Sequence, residues 1–244
     1  MAEVVFVGTG DAFGSGGRRN SAILVRDRGK TLLLDCGPTT LGGLQELGID
    51  PRELDAVVIS HFHGDHCAGI PFLLIDYLYE HQRTTPLRIV GPPGIQERVE
   101  ALKRAFEYRE EQDRAYSLEY LELATERNVS LDGFTISAFP AFHHPNTKPH
   151  MVRVRGSDRQ VMFTGDTGWH ERLPEYVGDV DLLIAECVFW ERDFKYHLNH
   201  ERLQRERSRL RAGRVVLTHL GSEVLTNLDR AQFDTARDGL ILPV

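Results

Sequence analysis

Six consecutive residues, His-Phe-His-Gly-Asp-His, constrain this sequence more than any other segment. They follow residues 56–60, whose Ala-Val-Val-Ile-Ser pattern predicts a buried strand. In an extended chain His61 and His63 point to one side, and the glycine permits a turn that returns Asp65 and His66 towards them. Imidazole and carboxylate groups bind Zn²⁺, and Mn²⁺ or Fe²⁺ accept the same ligands. Four ligands this close crowd a single tetrahedral ion, so the segment favours two ions.

Further candidate ligands stand where later predicted strands end. They are His143 or its neighbour His144, Asp166 in a Thr-Gly-Asp-Thr-Gly turn, and His219. Taken singly, Asp166 is equally well explained as a helix cap and His219 as a strand-end histidine without a ligand role. Taken with the first cluster, they complete two three-residue ligand groups, and an aspartate can bridge two cations with its two oxygens.

Two more carboxylates and three cysteines lie near these segments. Asp35 and Glu186 end apolar strands and are expected to hold ligand histidines through their free N–H groups. Cys36, Cys67 and Cys187 are an odd number with scattered spacing, which argues against a disulfide framework and fits a reducing compartment. Cys67 and Cys187 adjoin His66 and Glu186, and we expect them to be small buried side chains rather than ligands.

Short apolar strands alternate with helical patterns, which predicts an α/β protein. The strand–helix pattern runs twice, before and after residue 125, within one domain over residues 1–244. The predicted strands are 4–7, 22–25, 31–34, 56–60, 87–90, 129–139, 152–154, 160–163, 181–185 and 214–217. The predicted helices are 40–47, 70–82, 95–104 and 199–212.

Three segments have a distinctive composition. Residues 70–82 are apolar on nearly every side, which indicates a helix between layers or beside a pocket. The apolar run at 70–79 looks exposed and would suit a homodimer contact or a substrate wall. Residues 106–113 are acidic and polar, which predicts a solvated helix or loop. The arginines of 199–212 alternate with glutamates, which predicts a solvent-facing helix surface rather than a nucleic-acid patch.

The charge balance is acidic, with 29 basic and 36 acidic residues, a net charge of −7 and a pI near 5.9. Nucleic-acid-binding proteins usually carry a basic field, so a polyphosphate backbone is not the expected partner. The sequence starts Met-Ala-Glu without a signal-peptide pattern, and no apolar run approaches ~18 residues. These features predict a cytoplasmic protein without a membrane span.

In the order of its motifs, the sequence resembles the metallo-β-lactamase superfamily. The matching positions are Asp35, the cluster at 61–66, His143, Asp166 and His219. Gly-Thr-Gly at 8–10, Arg-Asn-Ser at 19–21 and Phe-Thr-Gly-Asp-Thr at 163–167 look like the ribonuclease Z-type phosphodiesterase branch. The resemblance spans essentially the whole chain. It implies a four-layer αββα sandwich of two mixed β-sheets flanked by helices, with a dinuclear site at one edge.

The resemblance also implies how the ligands divide. One ion takes His61, His63 and His143, the other takes Asp65, His66 and His219, and Asp166 bridges them. The cofactors implied are two divalent ions, Zn²⁺ first and Mn²⁺ or Fe²⁺ as alternatives.

Two residues are expected to act on the substrate. Asp65 is expected to orient the nucleophile, and His197, where the ribonuclease Z branch places a histidine near the scissile phosphate, to contact phosphate or protonate the leaving group. A purely structural explanation is that His197 or His200 caps the helix at 199–212. His144 and His150 either line the pocket or are ordinary surface histidines.

The resemblance implies an enzyme, a metal-dependent hydrolase that uses a hydroxide between its metals. Ribonuclease Z carries a basic arm that grips tRNA, and the corresponding stretch after residues 87–90 predicts only a compact helix. We therefore expect a phosphodiesterase for a small molecule, cyclic phosphodiesters included. The alternatives are a tRNA 3′-processing endonuclease, or a thioester, aryl-sulfate or lactone hydrolase. A scaffold or sensor would be expected to lack ligands, and here none is missing.

Overall fold

The strands fall into two groups along the chain in the computed structural model, which describes residues 2–108 and 114–244. The first half supplies β1 (Glu3–Gly8), β2 (Ala22–Asp27), β3 (Lys30–Leu34), β4 (Ala56–Val58), β5 (Leu87–Gly91) and β6 (Leu118–Glu122). The second half supplies β7 (Asn128–Leu131), β8 (Phe134–Pro140), β9 (His150–Arg155), β10 (Gln160–Phe163), β11 (Val180–Glu186), β12 (Ala212–Thr218), β13 (Asp234–Thr235) and β14 (Leu240–Pro243). The strand–helix pattern runs twice, before and after residue 125, as predicted, but β14 at the end of the second half pairs with β1 of the first.

The strands form two seven-stranded mixed sheets. One has the order β14-β1-β2-β3-β4-β5-β6, in which β14 to β3 pair antiparallel and β3 to β6 pair parallel. The other has the order β13-β12-β11-β10-β9-β8-β7, in which β7 to β10 pair antiparallel and β10 to β13 pair parallel. The parallel strands of each sheet direct their carboxyl ends to a common edge.

The sheets pack face to face through one apolar core. β8 shows why, because Phe134, Ile136 and Ala138 are buried while the alternating threonine and serine are half-buried. These side chains belong to one cluster with Phe6 and Val58 of the opposite sheet.

Helices cover the two outer faces of the sheets. They are α1 (Thr40–Glu46), α2 (Gly64–Cys67), α3 (Ile70–Tyr79), α4 (Ile95–Ala105), α5 (Leu173–Val177), α6 (His200–Arg205) and α7 (Ser222–Leu225). α3 and α4 share a core with the first sheet, and α5 and α6 share one with the second. The layer order is helix, sheet, sheet, helix, which confirms the predicted αββα sandwich.

Two predicted boundaries need correction. The strand predicted at 129–139 is a hairpin, because Asp132 and Gly133 both have positive φ and form a tight turn between β7 and β8. The helix predicted at 199–212 ends at Arg205, since the chain continues as a short 3₁₀ turn and then as β12.

The expectation that the apolar run at 70–79 is exposed is wrong, whereas the expectation of a helix packed between layers is confirmed. The helix is α3, and seven of its ten side chains are buried. The strands β6 and β14 and the short helix α5 were not predicted, because alternating charges or short length obscure their apolar pattern. Most of the segment 106–113 lies outside the described residues. No helix among the described residues is long and apolar enough to cross a membrane.

Candidate dinuclear metal centre

The predicted ligands lie at the carboxyl ends of strands from both sheets. His61, His63, Asp65 and His66 follow β4 of the first sheet. His143, Asp166 and His219 follow β8, β10 and β12 of the second. Because the two sheets face each other, these loops meet at one edge of the sandwich, as the sequence predicts.

Three histidines and one aspartate form the first group. His63 Nδ1 lies 3.1 Å from His61 Nε2 and 3.1 Å from His143 Nε2. Asp166 Oδ2 lies 3.8 Å from both of those Nε2 atoms. His143 Nδ1 donates a hydrogen bond to the Tyr196 carbonyl over 2.9 Å, so its Nε2 faces the group.

Two aspartates and two histidines form the second group. Asp65 Oδ2 lies 3.2 Å from His66 Nε2 and 3.2 Å from His219 Nε2. Asp166 Oδ1 lies 3.3 Å from His66 Nε2 and 3.6 Å from His219 Nε2. Asp166 therefore presents one oxygen to each group, which is the arrangement of a bridging carboxylate.

These spacings fit metal coordination. A tetrahedral ion with ligand bonds of ~2.0–2.1 Å separates its ligand atoms by about 3.3–3.4 Å, within the 3.1–3.8 Å found here. His66 Nε2 and Asp166 Oδ1 are also buried without a hydrogen-bond partner in the described part of the chain. Buried polar atoms are normally paired, so unpaired ligand atoms that converge indicate a cation site.

Electrostatics in the centre agree with this interpretation. Burial lowers the pKa of His61 well below its ordinary value and that of His143 to about 4, which favours the neutral imidazole that binds metals. Burial also opposes protonation of His66 and His219, but Asp166 and its neighbouring carboxylates outweigh it and raise both pKa values. The carboxylates of the second group thus favour a positive charge at this position, and a bound divalent cation would supply it.

The buried Asp35 carboxylate fixes the orientation of His66. Its Oδ2 accepts a hydrogen bond from His66 Nδ1 over 2.6 Å, which turns Nε2 towards the second group. Its Oδ1 accepts from the Ser60 backbone N–H over 2.8 Å. Asp35 therefore hydrogen-bonds one of the predicted ligand histidines, as the sequence predicts.

Glu186 has a different partner from the one expected. Its Oε1 accepts a hydrogen bond from His197 Nδ1 over 2.8 Å, and His197 is outside the two ligand groups. Burial disfavours the imidazolium, but Glu186 outweighs burial and raises the pKa of His197 to about 9. The His197 side chain is 18% exposed and its Nδ1 lies 3.9 Å from Asp166 Oδ2, so a histidine orientated by Glu186 stands beside the centre.

The remaining histidines and the cysteines serve the fold around the site. His200 stacks on Trp190 and accepts from the Gln232 backbone N–H, and Asn199 caps the helix. His144 is exposed, and His150 is buried at the start of β9. The cysteines are buried free thiols outside the potential metal groups, so the expectation of small buried side chains is confirmed.

Sequence reasoning missed the groups that position the loops. Thr167 Oγ1 accepts from the Phe142 backbone N–H, and Thr167 N donates to Glu186. The Tyr196 carbonyl holds His143. A backbone carbonyl leaves no signal in the sequence. The position of Thr167 next to Asp166 was the one sequence clue to its role, because threonine is common in turns.

The fold and this constellation of groups define a metallo-β-lactamase-fold protein. The chain belongs to the family described as Anti-Pycsar protein Apyc1, whose model matches residues 2–236. Ribonuclease Z of Bacillus cereus (strain B4264) is 27% identical over an alignment of 278 positions that covers 90% of this chain and 89% of the relative. Ribonuclease Z of Mycobacterium bovis (strain BCG / Pasteur 1173P2) is 29% identical over 202 positions, covering 77% and 71%.

Solved structures agree on the fold. The metallo-beta-lactamase fold protein YhfI from Bacillus subtilis superposes with a TM-score of 0.82 at 24% identity and covers all of both chains. Human tRNase Z, short form (ELAC1), gives 0.81 at 23% identity over 99% of each chain. A diphosphatase from the PhnP family gives 0.75 at 17% identity over 100% of this chain and 98% of that one. The resemblance to the ribonuclease Z-like branch is confirmed, and the chain is a metal-dependent hydrolase.

Proposed function

We propose that this hydrolase is a dinuclear phosphodiesterase for a small phosphodiester, cyclic substrates included. The observation that carries the proposal is the position of Asp166, which offers one oxygen to each of two ligand groups. A pair of cations ~3.5–4 Å apart is the arrangement that serves in-line displacement at phosphorus.

Each ligand group would hold one cation. His61, His63 and His143 would hold the first, and Asp65, His66 and His219 the second, with Asp166 between them. Nitrogen and carboxylate ligands at these spacings favour Zn²⁺, with Mn²⁺ or Fe²⁺ as alternatives. When bound, such ions supply a hydroxide nucleophile near neutral pH and stabilise negative charge on the phosphoryl oxygens.

Asp65 would set the direction of attack. One of its oxygens faces His66 and His219, so the other remains able to accept a hydrogen bond from the attacking water. Its pKa is lowered, because His66 and a hydrogen bond from His219 outweigh the effect of burial, and the group is therefore an acceptor at neutral pH. A fixed acceptor orientates the water lone pair towards phosphorus.

His197 would protonate the leaving group. Glu186 fixes the ring through Nδ1 over 2.8 Å, which leaves Nε2 as the nitrogen available to the departing oxygen. A positioned acid of this kind typically contributes 10²–10⁴-fold in rate. The largest contribution is expected where the leaving alkoxide is poor.

Substrate size follows from charge and from the connections around the site. The net charge of −7 opposes a polyanionic partner, and β5 connects to α4 through residues 92–94 alone. A tRNA-gripping arm inserted between β5 and α4 would need a longer connection than these three residues. We also propose a cytoplasmic location, with which three buried free thiols are consistent. We further propose a homodimer, whose contact does not use the buried face of α3.

One observation favours a second candidate, a tRNA 3′-processing endonuclease. The relatives in Bacillus cereus and Mycobacterium bovis are both named ribonuclease Z. Thioester, aryl-sulfate and lactone hydrolysis use the same kind of centre. These reactions differ in the scissile bond, so a substrate panel separates them.

The panel uses the purified protein loaded with Zn²⁺ or Mn²⁺. We expect turnover of bis(p-nitrophenyl) phosphate and of small cyclic phosphodiesters, and slow cleavage of a precursor tRNA. Asp166→Asn is the matched control for metal-dependent turnover. If a thioester turns over while every phosphodiester is untouched, the proposal fails, and preferential tRNA cleavage would establish the second candidate.

A further inference from the structure

A cavity of about 320 Å³ lies outside the two ligand groups. α4 forms one wall, and the segment that follows His144 forms the other. Its volume falls at the lower end of the usual range for small-ligand sites, about 300–1,000 Å³. The polar side chains that line it are Glu97, Arg98, Asn146 and Lys148.

Two cationic side chains converge on the same aromatic ring in this cavity. Arg98 Cζ lies 5.1 Å from the Phe62 ring centroid, and Lys148 Nζ lies 5.9 Å from it. Within residues 2–108 and 114–244 neither cation forms an ion pair. Among the described residues Lys148 Nζ donates to the Pro93 carbonyl alone, over 2.6 Å, and two of its three N–H groups have no partner there.

The backbone is shaped to place the ammonium there. Lys148 has φ 51°, a left-handed conformation that costs energy for a residue with a side chain. Across the cavity Gly94 has φ 93°, and a Cβ on it would lie 3.1 Å from Lys148 Nζ. Two unrelated backbone features therefore make room for one cation.

The cavity is connected to the metal centre through Phe62, which lies between His61 and His63. Its ring faces the cavity while its neighbours face the centre, as alternation in an extended segment requires. The Phe62 N–H donates to the Thr147 carbonyl over 2.9 Å, which ties the segment before Lys148 to the ligand loop. The cavity and the centre thus share one rigid segment.

We propose that this cavity is a second anion site that binds a phosphate group which is not cleaved. Arg98 offers a planar pair of donors, Lys148 a point charge and Asn146 an amide donor, and together they match the oxygens of a phosphate dianion. Glu97 lines the same cavity and opposes the anion, so one negative charge faces two positive ones. The phosphate comes either from a second position on the substrate or from free inorganic phosphate.

Calorimetric titration of the metal-loaded protein with inorganic phosphate tests the site without reference to hydrolysis. We expect two phosphates per chain, one at the metals and one in the cavity, and a single phosphate for the double variant R98Q/K148Q. Each single variant should weaken the second event about tenfold or more, since a charge-assisted hydrogen bond is lost. E97Q should tighten it.

Arg104→Gln is the matched control, because it removes one exposed cation from α4 away from the cavity. It should leave both binding events unchanged, and circular dichroism should show that every variant is folded. If the folded double variant binds phosphate with the stoichiometry and affinity of the original protein, the proposal is overturned.

The source of the anion is assigned with two substrates that differ by one phosphate. They are thymidine 5′-(p-nitrophenyl phosphate) and the same compound carrying a 3′-phosphate. A rise in KM in the double variant for the 3′-phosphorylated compound alone assigns the cavity to a substrate phosphate. An unchanged KM for both compounds, together with loss of the second phosphate in the titration, assigns the cavity to free phosphate.

Discussion

His66 Nδ1 donates a hydrogen bond to Asp35 Oδ2 over 2.6 Å, and both side chains are almost completely buried. The bond fixes which imidazole nitrogen carries the proton and which is free for a cation. The same carboxylate accepts a hydrogen bond from the Ser60 N–H. Asp35 therefore connects the chain just before the histidine cluster to the second ligand group.

Asp35→Asn should weaken metal binding more than it weakens the fold. The amide cannot accept from His66 and from the Ser60 N–H with the same strength, so the preference for the Nδ1–H tautomer is reduced. We expect a loss of about 10–100-fold in the affinity for the second metal equivalent. Competition with a chromogenic chelator measures this. Ser21→Ala removes a weaker 3.3 Å bond to the same carboxylate and should have little effect, and equal losses would contradict this role of Asp35.

His197→Gln should show a dependence on the leaving group. A p-nitrophenolate departs without help, so its kcat should fall less than about tenfold. An alkoxide needs a proton, so hydrolysis of an alkyl phosphodiester should fall by roughly 10²–10⁴-fold. Glu186→Gln should show the same pattern more weakly, because the ring keeps its proton donor but loses its carboxylate partner. A uniform loss with both leaving groups would indicate a binding role.

Because His150 is buried, the free energy of unfolding should fall as the solution becomes acidic. Burial lowers its pKa from an ordinary value of 6.5 to about 4, so the folded protein disfavours the protonated ring. The contribution to stability is fully present above pH ~6.5 and is lost as pH falls towards 4, to a total of roughly 3 kcal/mol. His150→Phe cannot titrate. Urea denaturation of chelator-treated protein from pH 7 to pH 4 should therefore give a shallower loss for the variant, and parallel curves would contradict the assignment.

Gly69 marks a close approach beside the centre. A Cβ there would lie 2.1 Å from the Gly37 carbonyl oxygen, and the Gly69 N–H already binds the Cys36 carbonyl. Gly69→Ala should therefore destabilise the fold by about 1–3 kcal/mol. Gly42→Ala is the matched control. That glycine lies inside α1, where an added methyl group would meet no atom within 4 Å, and alanine there should stabilise by about 0.5–1 kcal/mol. Thermal denaturation of both variants checks the difference in sign.

The sequence predicted the centre better than its surroundings. Adjacent histidines after a buried strand identify ligands because side-chain alternation and strand ends determine where they point. The role of Glu186 could not be predicted, because its partner His197 lies on a loop whose path depends on tertiary packing. The anion cavity was equally hidden, since Arg98 and Lys148 are 50 residues apart and meet only through the ring of Phe62. The Asp-Gly pair at 132–133, by contrast, is a hairpin-turn signal that the prediction of one continuous strand at 129–139 overlooked.

Stepwise return of Zn²⁺ to chelator-treated protein, with bis(p-nitrophenyl) phosphate hydrolysis measured at each step, tests the dinuclear centre most directly. The geometry around Asp166 predicts negligible hydrolysis without metal and a rise that levels off at two equivalents per chain. Asp166→Asn should fail to reach that plateau because the amide keeps one oxygen, so one of the two groups loses its shared ligand atom. Full activity in metal-free protein, or a plateau at one equivalent, would contradict the account.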